Sequence, residues 1–112
     1  MSLRPFGIEV KHYQMGEDLV FLVTGGVAHI GATATAYLVD GEVEVGLVTV
    51  PGHREDELAV EFARQACRKC NKSVTVIVGI HIDQATKKDI ETAVVTAREA
   101  MEEALLLICD IV

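Results

Sequence analysis

Between residues 6 and 14 apolar and polar positions alternate, with Phe6, Ile8 and Val10 on one parity and Glu9 and Lys11 on the other. A period of two sends successive side chains to opposite faces, so this segment predicts a half-buried strand. Met15-Gly16-Glu17-Asp18 reads as a turn, and residues 19–24, apolar on both parities, predict a central strand ending at Gly25-Gly26. Asp40-Gly41 is the sharpest local signal, because a two-residue type I′ turn needs positive φ at both positions, which Asp tolerates and Gly adopts freely. It joins a strand over 32–39 to one over 42–50 and sets Leu38 opposite Val43, Ala36 opposite Val45 and Ala34 opposite Leu47, all on one apolar face. The other face carries Thr33, Thr35 and Tyr37 beside Glu42 and Glu44, and suits water, a ligand or a second subunit better than a covering helix.

After Pro51-Gly52 the period changes. Glu55, Asp56 and Glu57 put negative charge where a helix N-terminus favours it, and Ala59, Phe62, Ala63, Ala66, Cys67 and Cys70 form one stripe of a helix from about 54 to 68 or a little beyond. Asn71 supplies a stop. Residues 73–83 predict a second central strand, with Val74, Val76, Val78, Ile80 and Ile82 toward the core and Thr75, Ile77, Gly79, His81 and Asp83 on the other parity. Thr86 with Asp89 resembles a capping arrangement, and Ile90, Val94, Ala97, Met101, Leu105 and Ile108 keep a helical period over about five turns. Residues 105–108 are apolar all round, which predicts an end wedged between elements or subunits. The order β-β-β-β-α-β-α predicts an α+β fold: a single mostly antiparallel sheet of five to six strands with two helices packed on one face.

A chain of 112 residues, half of them apolar, suits one domain spanning 1–112. Its core is modest for the apolar surface it carries, so a homodimer is the simplest expectation. Ten Lys and Arg against 17 Asp and Glu give a net charge of -7, which repels phosphate backbones and anionic lipid and argues against nucleic acid as a partner. No apolar run approaches the roughly 20 residues that cross a bilayer, and no basic segment precedes an apolar one at the N-terminus; the expectation is a cytoplasmic protein without a membrane partner. Cys67, Cys70 and Cys109 are odd in number and read as reduced thiols. Cys67-Arg-Lys-Cys70 is a CxxC, but no strand precedes it and no second CxxC accompanies it, so packing on the buried stripe is preferred to metal or redox chemistry.

Three candidate sites stand out, each beside a blander reading. Thr24-Gly-Gly-Val-Ala-His-Ile-Gly-Ala32 is rich enough in small residues for backbone N–H groups around Gly25, Gly26, His29 and Gly31 to hold an anion, or the glycines merely bend a strand. His53 and Arg54 sit where a strand gives way to a helix N-terminus, a place for phosphate or carboxylate; the alternative is an exposed loop. His81 and Asp83 share a parity about 7 Å apart by strand rise. Asp83 orients a general-base histidine, or the two ligate a metal, or they end a strand and cap the next helix. If the three strand termini meet, they line one pocket. A tris-histidine zinc site is then conceivable, but no HxH, HExxH or Cys/His spacing supports it, so no metal site is assigned. No serine or cysteine nucleophile with a recognisable elbow is present.

Gly25–Ala32, the Asp40-Gly41 hairpin and Gly-Ile-His-Ile-Asp-Gln-Ala-Thr-Lys-Lys-Asp-Ile (Gly79–Ile90), in this order and spacing, resemble the prenylated-flavin chaperone family. That family includes the small D subunit of gallate-type hydroxyarylic acid decarboxylases and is similar in fold to proteasome assembly chaperones. The resemblance covers most of the chain and implies a non-enzymatic accessory role: binding or shuttling prenylated flavin mononucleotide, or flavin mononucleotide, as cargo, or assisting assembly and activation of a flavin-dependent decarboxylase. It implies a site built from His29 with its glycine-rich neighbours and from His81 and Asp83. Two alternatives remain: a small hydrolase or lyase using His81 and Asp83, with or without a metal, and a purely protein-binding scaffold.

Overall fold

The computed structural model describes residues 4–52 and 54–109. After a 3-10 turn at Pro5–Gly7 come strands β1 (Glu9–Met15), β2 (Asp18–Gly26), β3 (Ala32–Val39) and β4 (Glu42–Thr49), helix α1 (Asp56–Cys70), strand β5 (Val74–His81) and helix α2 (Lys87–Cys109). One five-stranded sheet has the order β1-β2-β5-β3-β4. The α+β class and element order agree with the sequence pattern, but the sheet is mixed rather than mostly antiparallel, because β5 enters between β2 and β3 and runs parallel to β2. The helical crossover from β4 through α1 permits this, as a tight turn could not.

The hairpin behaves as its sequence dictates. Asp40 and Gly41 have φ of 51° and 82°, and Leu38, Ala36 and Ala34 pair with Val43, Val45 and Leu47. Alternate residues of the three inner strands, among them Phe21, Val23, Ala34, Val76 and Val78, form one fully buried face. Both helices cover it, α1 over β3, β4 and β5, and α2 toward β1 and β2. β3 contributes only alanines to this face, which lets the Phe62, Ala59 and Ala63 side of α1 come close. Among the described residues no helix lies on the opposite face, where Tyr13, Tyr37 and Val48 are exposed.

Helix ends follow local chemistry. α1 stops at Asn71, which takes the left-handed conformation at φ 56° and ψ 46° while its N–H donates to the Cys67 carbonyl. Before α2, the Thr86 N–H donates to Asp89 Oδ2 and the Asp89 N–H to Thr86 Oγ1, each at 3.0 Å, the reciprocal pair of a capping box.

Two expectations need correction. α2 buries Ala93, Ala97, Ala100 and Met101, whereas Ile90 is exposed: small residues permit closer approach and rotate the buried stripe off Ile90. At its end Leu105 is buried, while Leu106 and Leu107 face outward within the chain. The cysteines are not three reduced thiols: Cys70 and Cys109 form a disulfide with Cα atoms 5.0 Å apart, and Cys67 is free and buried. The last turn of α2 lies against that of α1, a neighbourhood no spacing along the chain reveals.

Candidate functional site

The connection from β2 to β3 must pass β5, which lies between them, and residues 27–31 cross its C-terminal end as a strap. The Val27 N–H donates to the His81 carbonyl and the Gly31 N–H to the Val78 carbonyl, both at 2.9 Å. Gly79 is where the strap crosses closest: a Cβ there would fall on the His29 carbonyl oxygen. The glycines of this region are therefore occupied by the chain itself. Gly25 lies under the Ile8 side chain, Gly26 turns at φ 62° against the His81 carbonyl, and Gly31 leaves the space taken by the Glu55 carboxylate.

Glu55 is the residue that the sequence pattern assigned only to helix electrostatics. It is buried just before α1, and Oε1 accepts the Arg54 N–H at 3.0 Å while Oε2 accepts the Ile80 N–H at 3.2 Å. His29 Nε2 lies 2.7 Å from Oε2, and His29 Nδ1 is 3.3 Å from the Val27 carbonyl. Each ring nitrogen of His29 thus faces an oxygen. A signal was present in the sequence, since Gly31 gives a carboxylate the room that any side chain would fill, but nothing local says which acid comes to it.

His81 ends β5 and joins this cluster, its ring 6.1 Å from that of His29 in an edge-to-face arrangement. Asp83 Oδ1 lies 3.0 Å from His81 Nε2, and both side chains are exposed. Asp83 does not cap α2, a role held by Thr86 and Asp89. The structure thus brings together His29, Gly25, Gly26, Gly31, His81 and Asp83, with Arg54 nearby; His53 lies outside the described residues. Among the described residues no three His, Cys, Asp or Glu side chains converge as a metal-binding group.

Beside this cluster a cavity of about 310 Å³ opens between the N-terminal turn of α1, the end of β5 and the first half of α2. Leu58, Ile80, Ile82, Ala93 and Val94 give it apolar walls, and Arg54, Glu57 and His81 contribute polar groups. Arg98, on the α2 side, makes two 2.9 Å hydrogen bonds to Glu61; these bonds and the carboxylate charge raise the guanidinium above its ordinary value. The clamp ties α2 to α1 along one side of the cavity. No described helix is long and apolar enough to cross a membrane.

Residues 3–108 match the family model of the prenylated flavin chaperone LpdD-like domain. The chain is also similar to Protein LpdD of Lactiplantibacillus plantarum, with 34% identity over 98 residues that cover 79% of this chain and 72% of that protein.

Proposed function

The chain belongs to the prenylated flavin chaperone LpdD-like family, and from that premise we propose that it is a non-enzymatic cytoplasmic accessory protein that binds prenylated flavin mononucleotide and passes it to a flavin-dependent decarboxylase. The observation that best supports this reading is the cavity beside the strap. Its volume of about 310 Å³ is near the lower end of the range for ligand pockets, roughly 300–1,000 Å³. A tricyclic or tetracyclic ring system would occupy the apolar part, and the phosphate-bearing arm would remain in the mouth. There the Arg54 guanidinium offers forked donors suited to one phosphate, beside Glu57 on the same lining. The uncovered sheet face with Tyr13, Tyr37 and Val48 supports a homodimer as the working form.

Anaerobic titration with prenylated flavin mononucleotide, followed by absorbance and by native mass spectrometry, tests the proposal. Saturable binding is expected, weakened by Arg54→Ala and by Ala85→Phe, since Ala85 lines the cavity from the loop between β5 and α2. No binding of prenylated or plain flavin mononucleotide, together with no effect on activation of a partner decarboxylase, would sink it. The hydrolase or lyase reading has one observation in its favour, the 3.0 Å approach of Asp83 to His81, by which a carboxylate orients a general base. It requires a turnover that His81→Ala abolishes.

A further inference from the structure

We propose that Glu55 is the positioning residue of this site: its carboxylate occupies an anion seat built from two main-chain amides and the His29 ring, and that occupancy holds the 27–31 strap against the end of β5. Only the flavin arm of the test below rests on the ligand-binding reading.

A carboxylate before a helix ordinarily serves the helix, yet the Glu55 side chain makes no hydrogen bond to the first turn of α1. It points the other way. β3 accompanies β5 only as far as the pair Ala32 and Val78, so the Ile80 N–H has no strand partner on that side, and the Glu55 carboxylate takes the place a neighbouring carbonyl would hold. The Arg54 N–H fixes the second oxygen, and His29 comes to 2.7 Å from the first. Two main-chain donors thus converge on one carboxylate whose side chain is 11% exposed, with the His29 ring in close polar contact. A buried carboxylate with several donors is well held, whereas deleting it strands the donors away from water. Since His29 lies in the middle of the strap, loss of the carboxylate is felt first by the strap rather than by α1. Gly31 completes the design by leaving room for the carboxylate beside the strap's last residue.

The test compares Glu55→Ala, Glu55→Gln and wild type in three measurements: amide exchange at Val27 and Gly31, the NMR resonances of the His29 ring, and flavin titration. Losing charge-assisted bonds to buried donors should speed exchange at Val27 and Gly31 by about tenfold or more in Glu55→Ala, with α2 amides unaffected. Formate, a free carboxylate, should slow that exchange again and return the His29 resonances toward wild type, while neutral formamide should not. Glu55→Gln, which keeps one acceptor, should fall between. Should Glu55→Ala fail to fold, Gly31→Ala, which sets a methyl group against the carboxylate, should reproduce the loosening. In the flavin arm, Glu55→Ala weakens binding about tenfold and formate restores it. Unchanged strap exchange and His29 resonances in Glu55→Ala, or equal rescue by formamide, would overturn the role of Glu55. Loosening and formate rescue in a protein whose wild type binds no flavin would leave that role standing and remove the flavin reading instead.

Discussion

Opening the bond between Cys70 and Cys109 should lower the stability of this protein by an amount the structure lets one work out. The two cysteines are 39 residues apart, and the closed loop contains β5 and nearly all of α2. In the chain-entropy treatment a cross-link over such a loop removes roughly 13 cal/mol/K from the unfolded ensemble, about 4 kcal/mol at 25 °C. An unfolding entropy of roughly 2.1 cal/mol/K per residue gives a 112-residue chain about 235 cal/mol/K, so the loss corresponds to a fall of about 16 °C in Tm. Thermal melts of oxidised and reduced wild type measure it, and reduction is the cleaner perturbation because Cys109→Ser also alters a buried position. Thiol titration in denaturant verifies the state: Cys67 alone should react before reduction and all three cysteines after it. Three reactive thiols in aerobically purified protein would refute the bond. A single thiol with a Tm change under about 2 °C would refute the entropic reasoning, because the loop would then be closed already in the unfolded chain. Such bonds are uncommon in a reducing compartment, so the difference also measures the stability a cytoplasmic protein would lack.

Other substitutions probe separate parts of the fold. Gly79→Ala should cost about 2–4 kcal/mol in urea unfolding, because the new methyl group meets the backbone of the strap rather than a side chain that can swing away. Phe62→Ala, at a fully buried position between α1 and the sheet, should cost about 3–5 kcal/mol by the same measurement, as expected when a large ring leaves a cavity. Thr86→Ala removes half of the capping box and should cost about 1 kcal/mol, with fraying confined to the first turn of α2 in amide exchange. Burial raises the Cys67 thiol above its ordinary value, the charge of Arg68 opposing it only in part. The folded state therefore keeps its proton where the unfolded chain has lost it, so stability present below the ordinary thiol value should decline as pH rises through it and level off above the raised one. Alkylation of Cys67 in the native protein should need a higher pH than alkylation of the same residue in denaturant.

Where the physics is local, the chain states its structure openly. Asp40-Gly41 specifies the hairpin and its register because the turn conformation is available to few residue pairs. Thr86 and Asp89 mark the start of α2 and Asn71 the end of α1 for comparable reasons, a cap being a bargain between residues a few positions apart. Alternation and helical period likewise identify the buried faces of β5 and α1. The family, too, was readable in Gly25–Ala32 and Gly79–Ile90.

The candidate site was only half legible. His29 and His81 could be suspected because each stands at a strand end beside glycine, and the fold does bring their rings together. Glu55 could not, since its sequence neighbourhood is that of any acidic helix start and its partners at positions 29 and 80 depend on β5 entering between β2 and β3. The same insertion makes the sheet mixed and sends the strap across Gly79. The Cys70–Cys109 bond depends in turn on how α2 lies against α1. Turns, caps and periodic faces are settled by neighbours along the chain. Strand order, the carboxylate seat and the disulfide are settled by which distant surfaces pack, and packing energy is a property of the assembled core rather than of any segment in it.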